Sequence, residues 1–501
     1  MKALSPLHPD DFDYWKAQHL LNRAGFGGTP AQVRGLVTMG LPDAVDYIVD
    51  YHRIDTESVR ADRFAADIMR PMSRADRERM RAARKANDET TLSEFRRRRQ
   101  AAQRLDRRQM RDIQRWWLTR MIESPRPLEE KMTLFWHGHF ATNYRAIEDS
   151  YHMFMQNQLF RNYAVGNFKA LAHGIIRDPA MLKYLNNDQN RSQHPNENLA
   201  RELMELFTLG EGHGYTEDDI KQGARALTGY SFRDDEFIDL DSRQYRRRHD
   251  DGPKTIFGMT GNYDGDDFVE LIFSRRACSE FLCLKLYRYF VNDLPGEPDK
   301  PRQNFITAMA KSLRDNKYRL RPVLKQMFAS AHFYEPSNVG SRIKSPIQLI
   351  VTAMRSLQTP TRQLGALADA ADLMGQSIFY PPSVKGWEGG RTWINTSTLF
   401  VRQNTLVYML TGRLPDQYPW DDDGTTYDAM HLVEHLREPD GRINLRDAVT
   451  YLLRISLACA VHQERVDGLV AFVEARGGRV DNAMLIALLS LITSMPEYQL
   501  S

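Results

Sequence analysis

The sequence has only three cysteines in 501 residues, at Cys278, Cys283 and Cys459. Three thiols cannot supply a disulfide framework, and the spacing of the first two puts them on different helix faces, so we expect buried free thiols. No CxxC pair or Cys/His cluster suggests a zinc site. The GxSxG, P-loop, GxGxxG, HExxH and kinase motifs are also absent, which argues against standard serine hydrolases, nucleotide-binding folds and zincins.

Long apolar runs are missing as well. No stretch of about 18 apolar residues could span a membrane, and the N-terminus has neither a signal-peptide core nor a twin arginine. We therefore expect no transmembrane segment and, by default, a cytoplasmic location. Export with a partner, or through a removed leader, is the alternative. The net charge of +3 gives no reason to expect a nucleic-acid partner.

Helical signals dominate the chain, so the predicted fold is mainly α, a multi-helix globular protein with two long irregular loops. One such helix is predicted to begin at Pro30, with Thr29 as its N-cap, and to end at Gly40. Alternation in "EFIDLD" and "KTIFGM" predicts a small β-hairpin near 231–265. We divide the chain into an N-terminal helical segment, a basic helical arm, a motif-bearing helical core and a C-terminal helical segment, at residues 1–59, 60–124, 125–400 and 401–501.

The arm is distinguished by its charge. Residues 60–120 contain nineteen Lys/Arg and nine Asp/Glu, which gives this segment a net charge of +10. Because the net charge of the whole chain is +3, the remaining residues carry a net charge of about −7. Interleaved acids such as Asp76 and Asp106 favour solvated or partner-packing helices over a nucleic-acid arm. The segregated charge suits a helical arm that packs on an acidic surface.

The stretch "HPNENLARELMELFTLG" (194–210) predicts an amphipathic helix. At 100° per residue, Glu197, Arg201, Glu202 and Glu205 fall on its polar side, opposite a leucine-rich face. This polar stripe could be a solvated ion-pair ladder. Alternatively, its carboxylates face a cleft and act as general acid and base.

Asparagines crowd the segment before this helix. Asn187 and Asn196, together with Asn143 further upstream, offer amides that can both donate and accept hydrogen bonds to a hydroxyl-rich ligand. The alternative is a set of turns capped by asparagine side chains.

Two histidines alternate in "FWHGHFATN". On an extended backbone His137 and His139 would point the same way, as in many divalent-metal sites, with a third ligand such as Glu205 or His249 brought in by the fold. A divalent metal is therefore one expectation. Histidines that make structural or substrate hydrogen bonds are the other.

The stretch "RRRHDDGPK" brings an acid/base pair and a cation together. His249 beside Asp250 suits proton transfer, and Lys254 could hold an anionic group. The alternative is a charged hairpin tip.

The second irregular loop, "PPSVKGWEGGRTWINTS", places Trp387 and Trp393 among glycines. Exposed tryptophans in such a loop often stack on sugar rings, and Asn395 could add a polar contact. A loop pinned to the core by its tryptophans is the alternative.

These stretches occur in a recognisable order between "HLLNRAGFG" and "WINTSTLFVRQN". The chain resembles the bacterial family catalogued as domain of unknown function 1800. The resemblance implies no established activity. It implies that members are often exported with twin-arginine leaders, which this sequence does not show, and are often encoded beside a sulfatase-like protein. The residues that match the family's motif letters are His137, His139, Asn196, Glu197, Arg201, Glu202, Glu205, His249, Asp250, Gly252, Lys254, Trp387 and Trp393.

Our leading hypothesis is an enzyme, a hydrolase or transferase, acting on a hydroxyl-rich or anionic substrate. The residues assigned to acid/base chemistry are Glu197, Glu202, Glu205, His249 and Asp250. Arg201 and Lys254 would stabilise negative charge. The competing hypothesis is a non-enzymatic accessory protein that binds a sulfatase-like partner and uses the motif residues as a structural polar network.

Overall fold

The structure is a computed structural model that describes residues 4–56, 59, 63–293, 296–414 and 420–501. It is mainly helical, and the predicted fold class is confirmed. The strands within these ranges form two antiparallel hairpins, β1 with β2 and β3 with β4. Both lie inside the predicted excursion, at Phe232–Arg233, Glu236–Phe237, Lys254–Ile256 and Met259–Gly261.

The helices of the first half are α1 Tyr14–Ala24, α2 Pro30–Met39, α3 Leu41–Val49, α4 Arg74–Ala86, α5 Glu89–Glu123, α6 Pro127–His139, α7 Tyr144–Ile147, α8 Ser150–Asn162, α9 Phe168–Ile175, α10 Pro179–Tyr184, α11 Asn198–Glu202 and α12 Glu217–Ala226. Those of the second half are α13 Arg243–Arg246, α14 Gly265–Phe273, α15 Arg276–Phe290, α16 Lys300–Asp315, α17 Leu320–Ala329, α18 Pro346–Leu357, α19 Leu364–Leu373, α20 Thr396–Thr411, α21 Met430–Val433, α22 Leu445–Ser456, α23 Gln463–Glu474 and α24 Asn482–Ser494. No helix in the described part of the chain is long and apolar enough to cross a membrane.

Local sequence signals explain where several helices begin. Thr29 caps α2 in a reciprocal capping box with Gln32, Pro30 follows as predicted, and Gly40 ends the helix with φ of 76°. Ser345 caps α18 in the same position relative to a following proline. Cys278 and Cys283 are buried free thiols on α15, as expected.

Buried apolar side chains form two clusters. The first joins α1–α3, α6, α9, α12 and α14–α17. The second joins the C-terminal half of α5 to α18–α24. The four-segment division of the chain remains a prediction.

Helix α6 lies between these clusters, and every residue from 128 to 137 is buried. Its Glu130 is 0% exposed. Arg161 of α8 binds both carboxylate oxygens at 3.0 Å, Arg120 of α5 donates at 2.9 Å, and the Trp117 indole donates at 2.9 Å. Burial raises the pKa of Glu130, but Arg161 and Arg120 outweigh burial and hold that pKa below its usual value. The carboxylate therefore ties three helices together as an anion.

The basic arm is a hairpin of α4 and the N-terminal half of α5. Ala83 is the buried residue of α4. The guanidinium groups of Arg79 and Arg98 lie over the ring of Phe95, a buried residue of α5, at 5.7 and 5.6 Å from its centroid. The arginines exposed along one side of α5, within 60° at 100° per residue, are Arg97, Arg104, Arg108 and Arg111. Few of the side chains in this hairpin are buried, and most of its exposed side chains are charged.

Replacing Glu130 with Gln should destabilise the protein strongly. The substitution removes the anion but leaves two buried guanidinium groups, so we expect a loss of about 3–5 kcal/mol in the free energy of unfolding, measured by urea denaturation. Glu78→Gln is the control, because its ion pair with Arg74 is well exposed and should contribute little. Equal effects of the two substitutions would contradict this account.

Candidate functional site

The polar stripe begins on α11 and continues onto a π-helical turn, Leu203–Thr208. The prediction of one regular α-helix is therefore wrong for the second half of the stretch. Leu209 N–H donates to the Met204 carbonyl at 2.8 Å, five residues back. π-Helical turns are rare and frequently lie at functional sites.

Arg201 is the centre of the ion pairs on this stripe. Its guanidinium binds Glu197 at 3.0 Å and Glu205 at 3.4 Å, one turn away on either side. It also binds both oxygens of Glu217 on α12, at 2.8 and 2.9 Å. The ladder that the spacing predicted is thus present, and it fastens α11 to α12.

Glu202 stands apart from this ladder. Its side chain is half-buried, and burial first, then the neighbouring Glu205 carboxylate, raises its pKa. Arg201 and Lys385 oppose this rise without reversing it. The two adjacent carboxylates therefore occupy unequal environments, one paired with Arg201 and one partly desolvated.

Residues 376–395, here called the tryptophan loop, reach this carboxylate stripe. Lys385 Nζ lies 2.6 Å from Glu211 Oε1, just beyond the π-helical turn. Gly386 lies against Gly138 of α6, where a Cβ would come 2.1 Å from the Gly138 carbonyl oxygen. Because its φ is also +77°, only glycine suits this position. The half-buried Trp387 ring follows and lies 5.5 Å from the ring of His137.

The two histidines of "FWHGHF" are on the last turn of α6, so the extended backbone assumed for a paired metal site is wrong. His137 Nε2 accepts the Phe379 N–H of the tryptophan loop at 2.9 Å. His139 Nε2 donates to the Phe207 carbonyl of the π-helical turn at 2.9 Å. Burial lowers the pKa of each ring to about 3. Both are neutral groups that position two neighbouring segments.

Metal ligands do not cluster around these rings. Within the described residues, no group of three or more His, Cys, Asp or Glu side chains is arranged to hold a metal ion. His139, Glu205 and His249 contact different partners, and no contact among these three side chains is found.

The "HDDGPK" loop (249–254) is hydrogen-bonded to residues 225–230, the segment "RALTGY" that precedes β1. His249 Nδ1 donates to the Thr228 carbonyl at 2.9 Å, and its ring stacks on Tyr245. Arg225 binds both oxygens of Asp250, at 2.8 and 3.1 Å. Lys254 Nζ donates to the carbonyls of Asp250 and Gly252 within this loop. The structure does not bring this acid/base candidate to the carboxylate stripe.

The asparagines that were candidates for ligand binding satisfy backbone groups. Asn187 donates to the carbonyls of Leu227 and Tyr230 at 3.2 and 2.9 Å. Asn196 Oδ1 accepts the Asn198 N–H at the start of α11. Asn143 caps α7 and donates to the Pro381 carbonyl of the tryptophan loop at 2.8 Å.

The second half of the tryptophan loop is also anchored. Trp393 is 7% exposed and packs near Gly375, so it is not an exposed stacking platform. Asn395 caps α20 in a capping box with Thr398. Of the two tryptophans, Trp387 alone is partly exposed.

Sequence reasoning missed a group of cations under the same loop. Arg23 of α1 and Lys131 of α6 are 1% and 2% exposed, and Arg342 lies before α18. Arg342 pairs with Asp293 at 3.6 Å. The sequence does contain one signal of this group. Lys131 lies on a side of α6 whose other residues are apolar, and this pattern indicates a buried lysine.

Comparison with known families places this helical protein. A family model described as "Protein of unknown function (DUF1800)" matches residues 19–500, and the chain belongs to that family. Neither the characterised proteins nor the solved structures that were compared give a match.

The depressed histidine pKa predicts acid sensitivity. The pKa of His137 is 6.5 in a model peptide and about 3 in the folded chain, so between these values the unfolded chain binds a proton that the folded chain does not. The free energy of unfolding should therefore fall as pH drops from 6.5, by at most about 1.4 kcal/mol per pH unit for this ring.

Urea denaturation at several pH values between about 6 and 4 measures this slope. His137→Gln keeps an acceptor for the Phe379 N–H but does not titrate, so its slope should be shallower than that of the wild type. Parallel slopes would mean that His137 does not contribute.

Proposed function

We propose that this protein is an enzyme, a hydrolase or transferase, in which Glu202 donates a proton to a hydroxyl-rich or anionic substrate. The observation that carries the proposal is the unequal environment of Glu202 and Glu205. A half-buried carboxylate with a raised pKa suits a proton donor, whereas a carboxylate paired with arginine suits an anion or base.

Other groups near the pair have complementary roles in this proposal. Lys385 and Arg201 stabilise negative charge that develops on the substrate. The partly exposed Trp387 ring, fixed against Gly138, provides a flat apolar surface for a sugar-like ring. Glu197 supports Arg201 rather than the substrate, because Arg201 Nη2 binds it directly.

The test is turnover of nitrophenyl glycosides, phosphates and sulfates by the purified chain. Glu202→Gln should lower kcat for a turned-over probe by about 100-fold or more with an unchanged melting temperature. Glu280→Gln, which removes an exposed carboxylate on α15 that pairs with Arg276, should retain full activity. No turnover of any probe, or an equal loss in both variants, would count against the proposal.

A second candidate function is that of an accessory protein for a sulfatase-like partner. Two observations favour it. Several candidate site residues, namely His249, Asp250 and Asn187, are hydrogen-bonded to the same segment, residues 225–230. In addition, the arginine stripe of α5 borders a surface recess lined in part by Leu105 and Arg108, with Leu105 53% exposed. An exposed apolar side chain among arginines suits an acidic protein surface.

Binding to the purified sulfatase-like protein, measured by calorimetry at two salt concentrations, tests this candidate. Exchange of Arg104 and Arg108 for Glu should weaken binding by about tenfold or more, and added salt should weaken the wild-type complex. Arg74→Glu, a charge reversal at the start of α4 and off this stripe, is the control. Binding that is insensitive to both changes would contradict the arm as the contact surface.

A further inference from the structure

The cations near the tryptophan loop lack the compensation that the buried Glu130 has. Around Glu130, one carboxylate is matched by two arginines that bind it directly. Near Asp293 the cations outnumber the carboxylates that bind them. Arg23, Lys131 and Arg342 act on one another electrostatically, and Asp293 is the carboxylate that acts on Arg23 and Arg342.

Lys131 is the least satisfied of the three. Among the described residues its ammonium group has no hydrogen-bond acceptor; it faces the rings of Phe26 and Tyr289 at 4.9 and 5.6 Å. Another buried lysine, Lys344, also faces a ring, that of Tyr498, but it donates to the Tyr498 carbonyl at 2.7 Å. Ring contacts alone only partly offset the loss of hydration.

Each of the two arginines also has an Nε–H group without a hydrogen-bond acceptor in the described structure. Arg23 uses its terminal nitrogens on the carbonyls of Val291 and Asn338, while its Nε has no acceptor within the described structure. Arg342 Nε is 3.6 Å from Asp293 Oδ2, a distance that makes an ion pair but is too long for a hydrogen bond. Both unsatisfied guanidinium edges thus belong to the same charged group.

The three cations influence one another. Burial first, and then Arg342 and Arg23, lower the pKa of Lys131 well below its usual value. Both Lys131 and Arg342 face the Tyr289 ring, at 5.6 and 5.5 Å. The charges of Arg342 and Arg23 thus act unfavourably on the Lys131 ammonium, and an anion bound by these groups would offset that repulsion.

The tryptophan loop passes beside Asp293, the carboxylate next to these cations. At Gly390, whose φ is +57°, a Cβ would lie 3.4 Å from Asp293 Oδ2. The loop backbone at Gly390 therefore lies next to Asp293, the carboxylate that pairs with Arg342.

We infer that Arg23, Lys131 and Arg342 bind a tetrahedral oxyanion, phosphate or sulfate, free or as part of a larger molecule. The ammonium and the two free guanidinium Nε–H groups supply donors, and the anion balances the excess charge. This site is separate from Glu202, and the inference does not depend on the proposed proton transfer.

Isothermal titration calorimetry with inorganic phosphate, and separately with sulfate, tests the inference at constant ionic strength in sodium chloride. The wild-type protein should bind at least one of these anions saturably with one-to-one stoichiometry. Lys131→Met should weaken that binding by about 10- to 100-fold. The variant should fold, because methionine has a similar length and removes an uncompensated buried charge.

Lys344→Met is the matched control, since it deletes a buried lysine that is already hydrogen-bonded, and it should leave anion affinity unchanged. Arg342→Gln is the second variant and should weaken binding to a similar extent if Lys131→Met does not fold. Glu202→Gln should bind the anions normally, which separates this inference from the proposed catalysis. Absence of saturable binding by both anions, or equal weakening by Lys344→Met, would overturn it.

Discussion

The burial of α6 from residue 128 to residue 137 is the constraint on which the rest of the structure depends. A helix that is buried on every side must satisfy its polar side chains inside the protein. The Trp136 indole donates to the Ala164 carbonyl at 3.0 Å, and Glu130 accepts from the arginines of α5 and α8. His137 is hydrogen-bonded to the tryptophan loop, and His139 to the π-helical turn. Each satisfied group thereby fixes the position of another segment.

This constraint also explains how distant stretches of sequence meet. The glycine at position 386 lets the loop backbone lie against the Gly138 carbonyl at the end of α6. From that contact the loop extends towards Glu211 through Lys385 and towards Asp293 through Gly390. One close approach of two backbones thus places a lysine near the carboxylates of α11 and brings the loop beside Asp293.

Much of the fold was predictable from the sequence because helix caps, periodicity and turn residues act locally, as at Thr29, Pro30 and Ser345. The ion-pair ladder of Arg201 followed from its spacing. The roles of His137 and His139 could not be predicted, since an HxH pattern does not say whether its backbone is extended or helical. Lys131 was missed for a related reason: the run "EEK" looks like a solvated helix face, and only tertiary packing buries it.

The departures from charge balance indicate where function should be sought. A polar network that serves structure alone is expected to be matched internally, as it is where Arg225 holds Asp250, because unmatched buried charge lowers stability. Such a match is missing at two places that bear on the sites described above. Glu202 is partly desolvated beside another carboxylate, and Lys131 is buried beside two arginines without an acceptor. Each arrangement costs folding free energy that its own contacts do not offset, and strain of this kind is a common feature of sites that bind ligands or transfer protons.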